Sequence, residues 1–366
     1  MTSDRITKVE TAVVSMCDNT LATSYGPSVK VRDHVFVRIW SSTGEFGLGE
    51  ASPLPHFTGE MAMHIHQVID QILGPSLIGL NPLDLQMIDT VLAERLPGHS
   101  TAKSALVTAA YDLAGKLLGM PVWRLLGGKW RSEVELAAGV GISSVETTLA
   151  EVEGLVAQGI GTIKLKIGKD YRRDIAAIYA VREKFPHLNI RADANQGYTP
   201  KLAMKVLKEL EAADLQYVEQ PVAADDLQGL RRVASVTSIP IAVDEALYSL
   251  NDAINLAVYG AADVFVIKLI KTGGIRRARA IMDLAACRQI PCVLVSPYEG
   301  YVGMAADVHV AATGCNCQWA AELGLGVPVE GEPCTGLSFD GGVVQVPDRP
   351  GLGVELVTDI FAGSSG

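Results

Sequence analysis

Five charged residues break into apolar runs at nearly even spacing: Lys166, Asp193, Glu219, Asp244 and Lys268, separated by 27, 26, 25 and 24 residues. A strand plus its crossover helix takes about 30 residues, so the five occupy one phase of successive units and converge at one end. Asp193, Glu219 and Asp244 then set three carboxylates on adjacent strands, where like charges repel and raise one another's pKa. A bound divalent cation removes that conflict. Oxygen-only ligands suit a hard ion, Mg²⁺ first and Mn²⁺ next. Asn195, two residues past Asp193, shares its side of the strand and can support the carboxylates or the ion; Glu245, directly after Asp244, is expected one layer behind. Lys164 and Lys166 share a strand face. Two ammonium groups beside a dication should lower the pKa of one and yield an amine base. Lys268 falls on the far side of the mouth. A cation between opposed lysines suits removal of the proton α to a carboxylate, with the other lysine returning one on the opposite face.

These residues need elements to hold them. From about 132 to 325, short apolar runs alternate with amphipathic helical stretches. The runs are 134–140, 162–167, 189–195, 216–220, 240–245, 264–270, 291–296 and 318–322. Strands alternating with helices predict a parallel sheet, and eight of them predict closure as an α/β, (β/α)8-type TIM barrel with its site at the C-terminal strand ends. An open doubly wound sheet would carry a G-x-G-x-x-G after its first strand, and none occurs. Residues 1–130 read as a separate α+β domain, with strands near 7–15, 34–40 and 45–50 and helices near 60–73, 82–95 and 101–118. Residues 326–366 are rich in Gly and Pro, contain a hairpin pattern at 336–346, and are too short to fold alone; they are expected to return to the N-terminal domain.

The 366 residues are 48% hydrophobic and 20% charged, with a net charge of −10. That acidic balance argues against a nucleic-acid binder but not against an anionic small substrate, which needs only local cations. A mean hydropathy of +0.24 comes without any run long enough to span a membrane, so the apolar excess belongs in strands covered on both faces. The start lacks the pattern of a secretory signal, which leads to an expectation of a cytoplasmic protein with reduced thiols at its six cysteines.

The constellation resembles the enolase superfamily. Ile163-Lys164-Leu165-Lys166 is similar to the family K-x-K strand, Arg191-Ala192-Asp193-Ala194-Asn195 to its D-x-N, and Val218-Glu219-Gln220-Pro221 to its E-Q-P. Ala242-Val243-Asp244-Glu245 resembles the third ligand strand and Ile267-Lys268-Leu269 the sixth-strand lysine. The resemblance implies a modified (β/α)7β barrel under an N-terminal capping domain, with Mg²⁺ on Asp193, Glu219 and Asp244. It also implies Lys166 and Lys268 as acid and base, and Lys164 as electrostatic support. A lysine on the sixth strand looks like the muconate lactonizing enzyme subgroup; the mandelate racemase-like members use a histidine near the seventh strand end, where this chain has Val295-Ser296-Pro297-Tyr298-Glu299. By the same analogy the protein is expected to be a homo-oligomer.

In that family, loops of the capping domain choose the substrate. Here they correspond to residues 18–30 and 52–60, making Tyr25, His56, Phe57 and Thr58 candidate contacts. Tyr298, Trp319 and Glu322 lie near other strand ends and join them. Dipeptide epimerases of the family often carry Asp-x-Asp at the eighth strand end; Ala321-Glu322-Leu323 departs from that. Leu96-Pro97-Gly98-His99 and the helix after it resemble members acting on proline-type betaines. The expectation is an isomerase: a Mg²⁺-dependent racemase or epimerase of an amino-acid derivative or betaine. Cycloisomerisation and dehydration are the alternatives on the same parts, and a non-catalytic binding protein comes last.

Overall fold

A computed structural model describes residues 4–17, 22–27, 30–296, 298–325 and 330–362. The N-terminal part is an antiparallel meander of β1 (Ile6–Cys17), β2 (Val31–Ser41) and β3 (Phe46–Ala51). The turn at Ser41–Glu45 closes with Gly44 at φ 87°. A helical pair follows, α1 (Leu85–Arg95) and α2 (Ser100–Leu118). Helix α2 lies almost on the backbone of β3. A Cβ on Gly49 would sit 1.9 Å from the Ala105 carbonyl oxygen, and one on Gly47 2.1 Å from that of Ala109. The Ala-rich face of α2 and the Gly-x-Gly of β3 are therefore two halves of one close approach. Asp112, buried in α2, accepts from Leu48 N and Leu352 N, tying sheet, helix and C-terminal segment together.

The central sheet has seven parallel strands in sequence order: β4 (Ala137–Val140), β5 (Thr162–Lys166), β6 (Asn189–Asp193), β7 (Leu215–Glu219), β8 (Ile241–Val243), β9 (Val264–Ile267) and β10 (Cys292–Leu294). The eighth apolar run does not form a strand of its own. It closes the ring through two isolated bridges, Val295 with Glu322 and Leu136 with Ala321. The fold is an α/β modified TIM barrel with an N-terminal cap. Five successive helices, α3 (Val145–Ala157), α4 (Tyr171–Lys184), α5 (Pro200–Leu210), α6 (Leu227–Ala234) and α7 (Leu250–Tyr259), begin on Ser144, Asp170, Thr199, Asp226 and Ser249, each accepting a backbone N–H. These caps fix where each loop at the mouth hands over to its helix.

The run expected as strand over 264–270 stops at Ile267. The chain turns at Lys268 into a one-turn helix, α8 (Leu269–Thr272), then α9 (Ile275–Cys287). Helix α10 (Tyr301–Thr313) is buried along its whole length. The C-terminal segment touches both parts of the molecule. Its hairpin, Phe339–Asp340 with Val343–Gln345, pairs onto Glu133–Glu135 beside the barrel. Gly351 and Leu352 bond to Val122, Met120 and Asp112 on the cap side. All six cysteines are free thiols. Among the described residues no helix is long and apolar enough to cross a membrane.

Candidate active site

The inward-facing positions of the strands alternate upward from apolar to charged. Val264, Val266, Val293, Val295, Ala242 and Tyr217 fill the lower interior. Lys164, Lys166, Asp193, Glu219, Asp244 and Lys268 crown it, and the three carboxylates are buried. Strand order puts Lys166 and Lys268 four staves apart in a ring of eight, hence on opposite sides, with the three carboxylates on the staves between.

Every cation at the mouth is paired. Lys166 Nζ donates to Asp193 Oδ2 at 2.5 Å and to Asn195 Oδ1 at 3.2 Å. Lys164 Nζ donates to Glu219 Oε2 at 3.2 Å, lies 3.6 Å from Asp193 Oδ2, and pairs with Glu322. Lys268 pairs with Asp244 Oδ2 and holds its ammonium 4.4 Å from the centre of the Phe57 ring. As the side chains stand, no group of three or more His, Cys, Asp or Glu among the described residues surrounds a common point. Two carboxylate oxygens at the mouth are nonetheless left over: Glu219 Oε1 and Glu245 Oε2 are buried with no hydrogen-bond partner.

The electrostatics record this crowding. Burial, then the Asp193 charge, pushes Glu219 well above the carboxylate range; Lys164 opposes, and Glu322 and Asp244 add to the push. Asp244 goes the other way. Burial would raise it, but Lys268 and Lys271 together hold it low. Asp193 is lowered because Lys166 and Lys164 outweigh burial. The expected depressed lysine is not found at Lys164. Burial favours its neutral form, yet Glu219, Glu322 and Asp193 together raise it well above the ordinary value. Lys268 is raised too, with burial outweighed by Asp244 and Glu219. At Lys164 the three nearby carboxylates decide the direction.

Asn195 lies beside Asp193 and Lys166, and Glu245, expected one layer behind, faces Asn195 instead. Strands β6 and β8 end at Asp193 and Val243, so the chain is already turning; Asn195 has φ 41°. Asn195 N donates to Asp193 Oδ1 at 2.9 Å, and its Nδ2 to Glu245 Oε1 at 3.2 Å. Glu245 thereby turns inward. Burial and the charges of Asp244 and Asp193 push it up to about 7.

The cap supplies a roof. Tyr25 OH donates to Glu245 Oε1 at 2.7 Å, and the Tyr25, His56 and Phe57 rings pack with centroids 5.0–6.2 Å apart. Burial, then the positive charges of Arg32, Lys268 and Lys166, pulls His56 below its ordinary value. Residues 18–21 and 28–29 of the candidate loop lie outside the described residues. Thr58 is drawn away into the cap, where its hydroxyl lies 3.2 Å from the Thr101 hydroxyl. Tyr298 (φ 68°) lies under the Arg32 guanidinium at 4.4 Å. Trp319 does not join the mouth. Three residues before Glu322, it stacks on Tyr217 among the lower interior side chains, 6.0 Å between centroids. Glu322 belongs to the charged layer, but its carboxylate is committed: it pairs with Lys164, lies 3.5 Å from Arg191, and accepts from Tyr217 OH at 3.2 Å.

Comparison with known proteins identifies the family. Residues 147–360 match the family model described as Enolase C-terminal domain-like, and residues 8–127 match Mandelate racemase / muconate lactonizing enzyme, N-terminal domain. The chain belongs to the mandelate racemase/muconate lactonizing enzyme family. An L-Ala-D/L-Glu epimerase of Bacillus subtilis is 34% identical over 89% of this chain and 90% of its own length. A cis-3-hydroxy-L-proline dehydratase of Roseibium aggregatum is 30% identical over 92% of both chains. The solved dipeptide epimerase of Enterococcus faecalis, complexed with Mg and the dipeptide L-Leu-L-Tyr, superposes with a TM-score of 0.91 at 31% identity, over 96% of this chain and 99% of that one. The chain is thus an enzyme of isomerase chemistry, with the lyase chemistry of the dehydratase as the alternative the family also carries.

One buried lysine at the mouth escaped the sequence reading. Lys271 is fully buried and reaches both the side chain and the backbone carbonyl of Asp244. With 264–270 read as strand, Lys271 fell outside it. A helical turn after Lys268, signalled by Gly273-Gly274, would have placed the two lysines i,i+3 on one side.

Proposed function

We propose that the protein is a Mg²⁺-dependent racemase or epimerase that inverts the carbon α to a carboxylate in an amino-acid derivative. The observation that carries this reading is the placement of Lys166 and Lys268 on opposite staves, with Asp193, Glu219 and Asp244 between them. Inversion requires one base and one acid on the two faces of a planar intermediate, and two opposed lysines meet that requirement.

The carboxylates fit a hard cation. They are oxygen donors on three adjacent strands, they crowd one another, and Glu219 Oε1 has no partner. Asp193, Glu219 and Asp244 would hold the ion. When bound, a divalent cation supplies electrostatic stabilisation of the extra negative charge that develops on the substrate carboxylate as its α-proton leaves. The chain's own residues do the rest. Lys166 takes the proton from one stereoisomer and Lys268 from the other. Lys164, pinned by Glu219 and Glu322, contributes fixed positive charge. The ring cluster of Tyr25, His56 and Phe57 excludes water above Lys268.

The Glu322 carboxylate is already engaged by Lys164, Arg191 and Tyr217. That commitment favours substrates that do not depend on it to receive a free ammonium group.

Incubation in D₂O with Mg²⁺ and a panel of dipeptides, N-acyl amino acids and betaines tests the reading. The expected outcome is exchange of the α-proton with both stereoisomers appearing. Loss of water from a hydroxylated substrate, without inversion of any other, would replace it with the lyase alternative.

A further inference from the structure

Lys268 and Lys271 both bind Asp244, but in different ways. Lys268 meets only the outer oxygen, Oδ2, and faces the Phe57 ring and the mouth. Lys271 meets Oδ1 and also donates to the Asp244 backbone carbonyl at 2.5 Å. It is the more deeply buried of the two, with the Tyr248 ring 5.4 Å from its ammonium. Its backbone is fixed as well. Helix α8 is a single turn that packs against α2 of the cap and ends at Gly273 (φ 84°) and Gly274 (φ 115°). A Cβ on Gly274 would lie 2.8 Å from Val107 Cβ, so the close approach of cap and turn depends on that glycine.

An ammonium held this way cannot reach substrate. Two of its three N–H bonds are spent on one residue, which clamps the aspartate's side chain to its own main chain. Lys268 is the mobile partner, since acid/base work requires its ammonium to leave Asp244. Taking away the only counter-charge of a buried carboxylate is costly, because the charge is left without water or partner. A second lysine that stays behind avoids that cost and keeps Oδ2 aimed at the mouth.

We propose that Lys271 is a positioning residue: it clamps Asp244 through side chain and backbone so that Asp244 serves as a ligand while Lys268 is released for proton transfer. This rests on the reading of Asp244 as a metal ligand given above. Outer partners of ligating residues typically contribute about 10–100-fold in metal affinity.

The test is calorimetric titration of Mn²⁺ into the full chain without substrate, for wild type, Lys271→Met, Lys271→Arg and Asp193→Asn, each checked for native circular dichroism. Lys271→Met is expected to weaken Mn²⁺ binding about 10–100-fold, and Lys271→Arg, which keeps charge and donors, to recover at least a third of the loss on a logarithmic scale. A folded Lys271→Met that binds Mn²⁺ within threefold of wild type overturns the proposal, as does an arginine variant no better than the methionine one. If Lys271→Met does not fold, Lys271→Arg against Lys271→Gln decides by the same criterion. Asp193→Asn separates the two layers: if it too binds Mn²⁺ like wild type, the metal reading itself has failed; if it alone loses binding, only the role of Lys271 has.

Discussion

The molecule buries carboxylates in two places and neutralises them by different means. At the barrel mouth, Asp193, Glu219, Asp244 and Glu322 face Lys164, Lys166, Lys268, Lys271 and Arg191. At the seam of cap, barrel and C-terminal segment, Glu50, Glu299, Asp307 and Glu332 gather around the start of helix α10. Glu50 accepts from His34 Nδ1 at 2.7 Å, Gly300 N at 2.6 Å and Gly303 N at 2.9 Å. Glu332 accepts from Tyr301 N and Cys334 N, both at 2.9 Å. The carboxyl groups of Glu299 and Asp307 face each other and share a side-chain hydrogen bond. Burial raises Glu299, Asp307 and Glu332, the last two up to about 7. The mouth sets its carboxylates against lysines, ready to meet a cation. At the seam, burial and one another's charges hold Glu299, Asp307 and Glu332 above the carboxylate range, against the opposing pull of the backbone N–H groups at the start of α10.

The sharpest way to break this contrast is at the mouth. Lys166→Ala and Lys268→Ala should each lower turnover by about 10²–10⁴-fold, the usual share of a general acid or base. The losses should be complementary: each variant retains α-proton exchange in D₂O from one stereoisomer only, read by NMR with each enantiomer supplied separately. Equal loss with both enantiomers would make the lysines a shared electrostatic device, no different in kind from Lys164.

Most of the mouth is legible in the sequence because a barrel repeats its unit. Lys166, Asp193, Glu219, Asp244 and Lys268 recur in phase, and phase alone brings them to one rim. What escapes is whatever departs from that period. Lys271 is hidden by a strand that stops early. Trp319 reads as a rim residue because the eighth run has no ladder to fix how high each side chain stands; bridges at Ala321 and Glu322 put Trp319 lower. The seam has no sequence signal. His34, Glu50, Glu299, Asp307 and Glu332 come from three parts of the chain with no common spacing, and only the docking of cap on barrel brings them together.

The seam makes the opposite prediction from an ordinary buried ion pair. Asp307 and Glu332 rise from 3.8 and 4.5 in the unfolded chain to about 7 in the fold. The folded state therefore binds their protons more tightly. The resulting stability is fully present below about pH 4, is lost as pH rises through 7, and is flat above. A tenfold change in proton affinity is worth about 1.4 kcal/mol, and each group gives up nearly two decades between pH 5 and pH 8, so the loss over that range should be on the order of 5 kcal/mol for the pair. Denaturant unfolding followed across that range measures it. Asp307→Asn, which cannot ionise, should flatten the fall while leaving the lysine-paired mouth untouched. An unchanged slope in Asp307→Asn would mean the seam is neutralised by something other than protons.

The smallest effect lies where cap meets mouth, at Tyr25. Its ring is 47% exposed and belongs to the aromatic roof, but its hydroxyl donates to Glu245 and accepts from Gln196 Nε2 at 2.5 Å. Glu245 in turn receives Asn195, which touches Lys166 and Asp193. The hydroxyl is thus three contacts from Lys166, the proposed proton-transfer residue, and the ring belongs to the roof over the mouth. Tyr25→Phe keeps the ring and removes both hydrogen bonds of the hydroxyl at a partly exposed site, together worth on the order of 1 kcal/mol. It should raise KM about fivefold, change kcat by less than about twofold, and leave thermal stability within about 1 °C. A hundredfold drop in kcat would instead show that Glu245, and through it Asn195, must be held by the cap for Lys166 to work. The roof would then be part of the charged mouth and not only its cover.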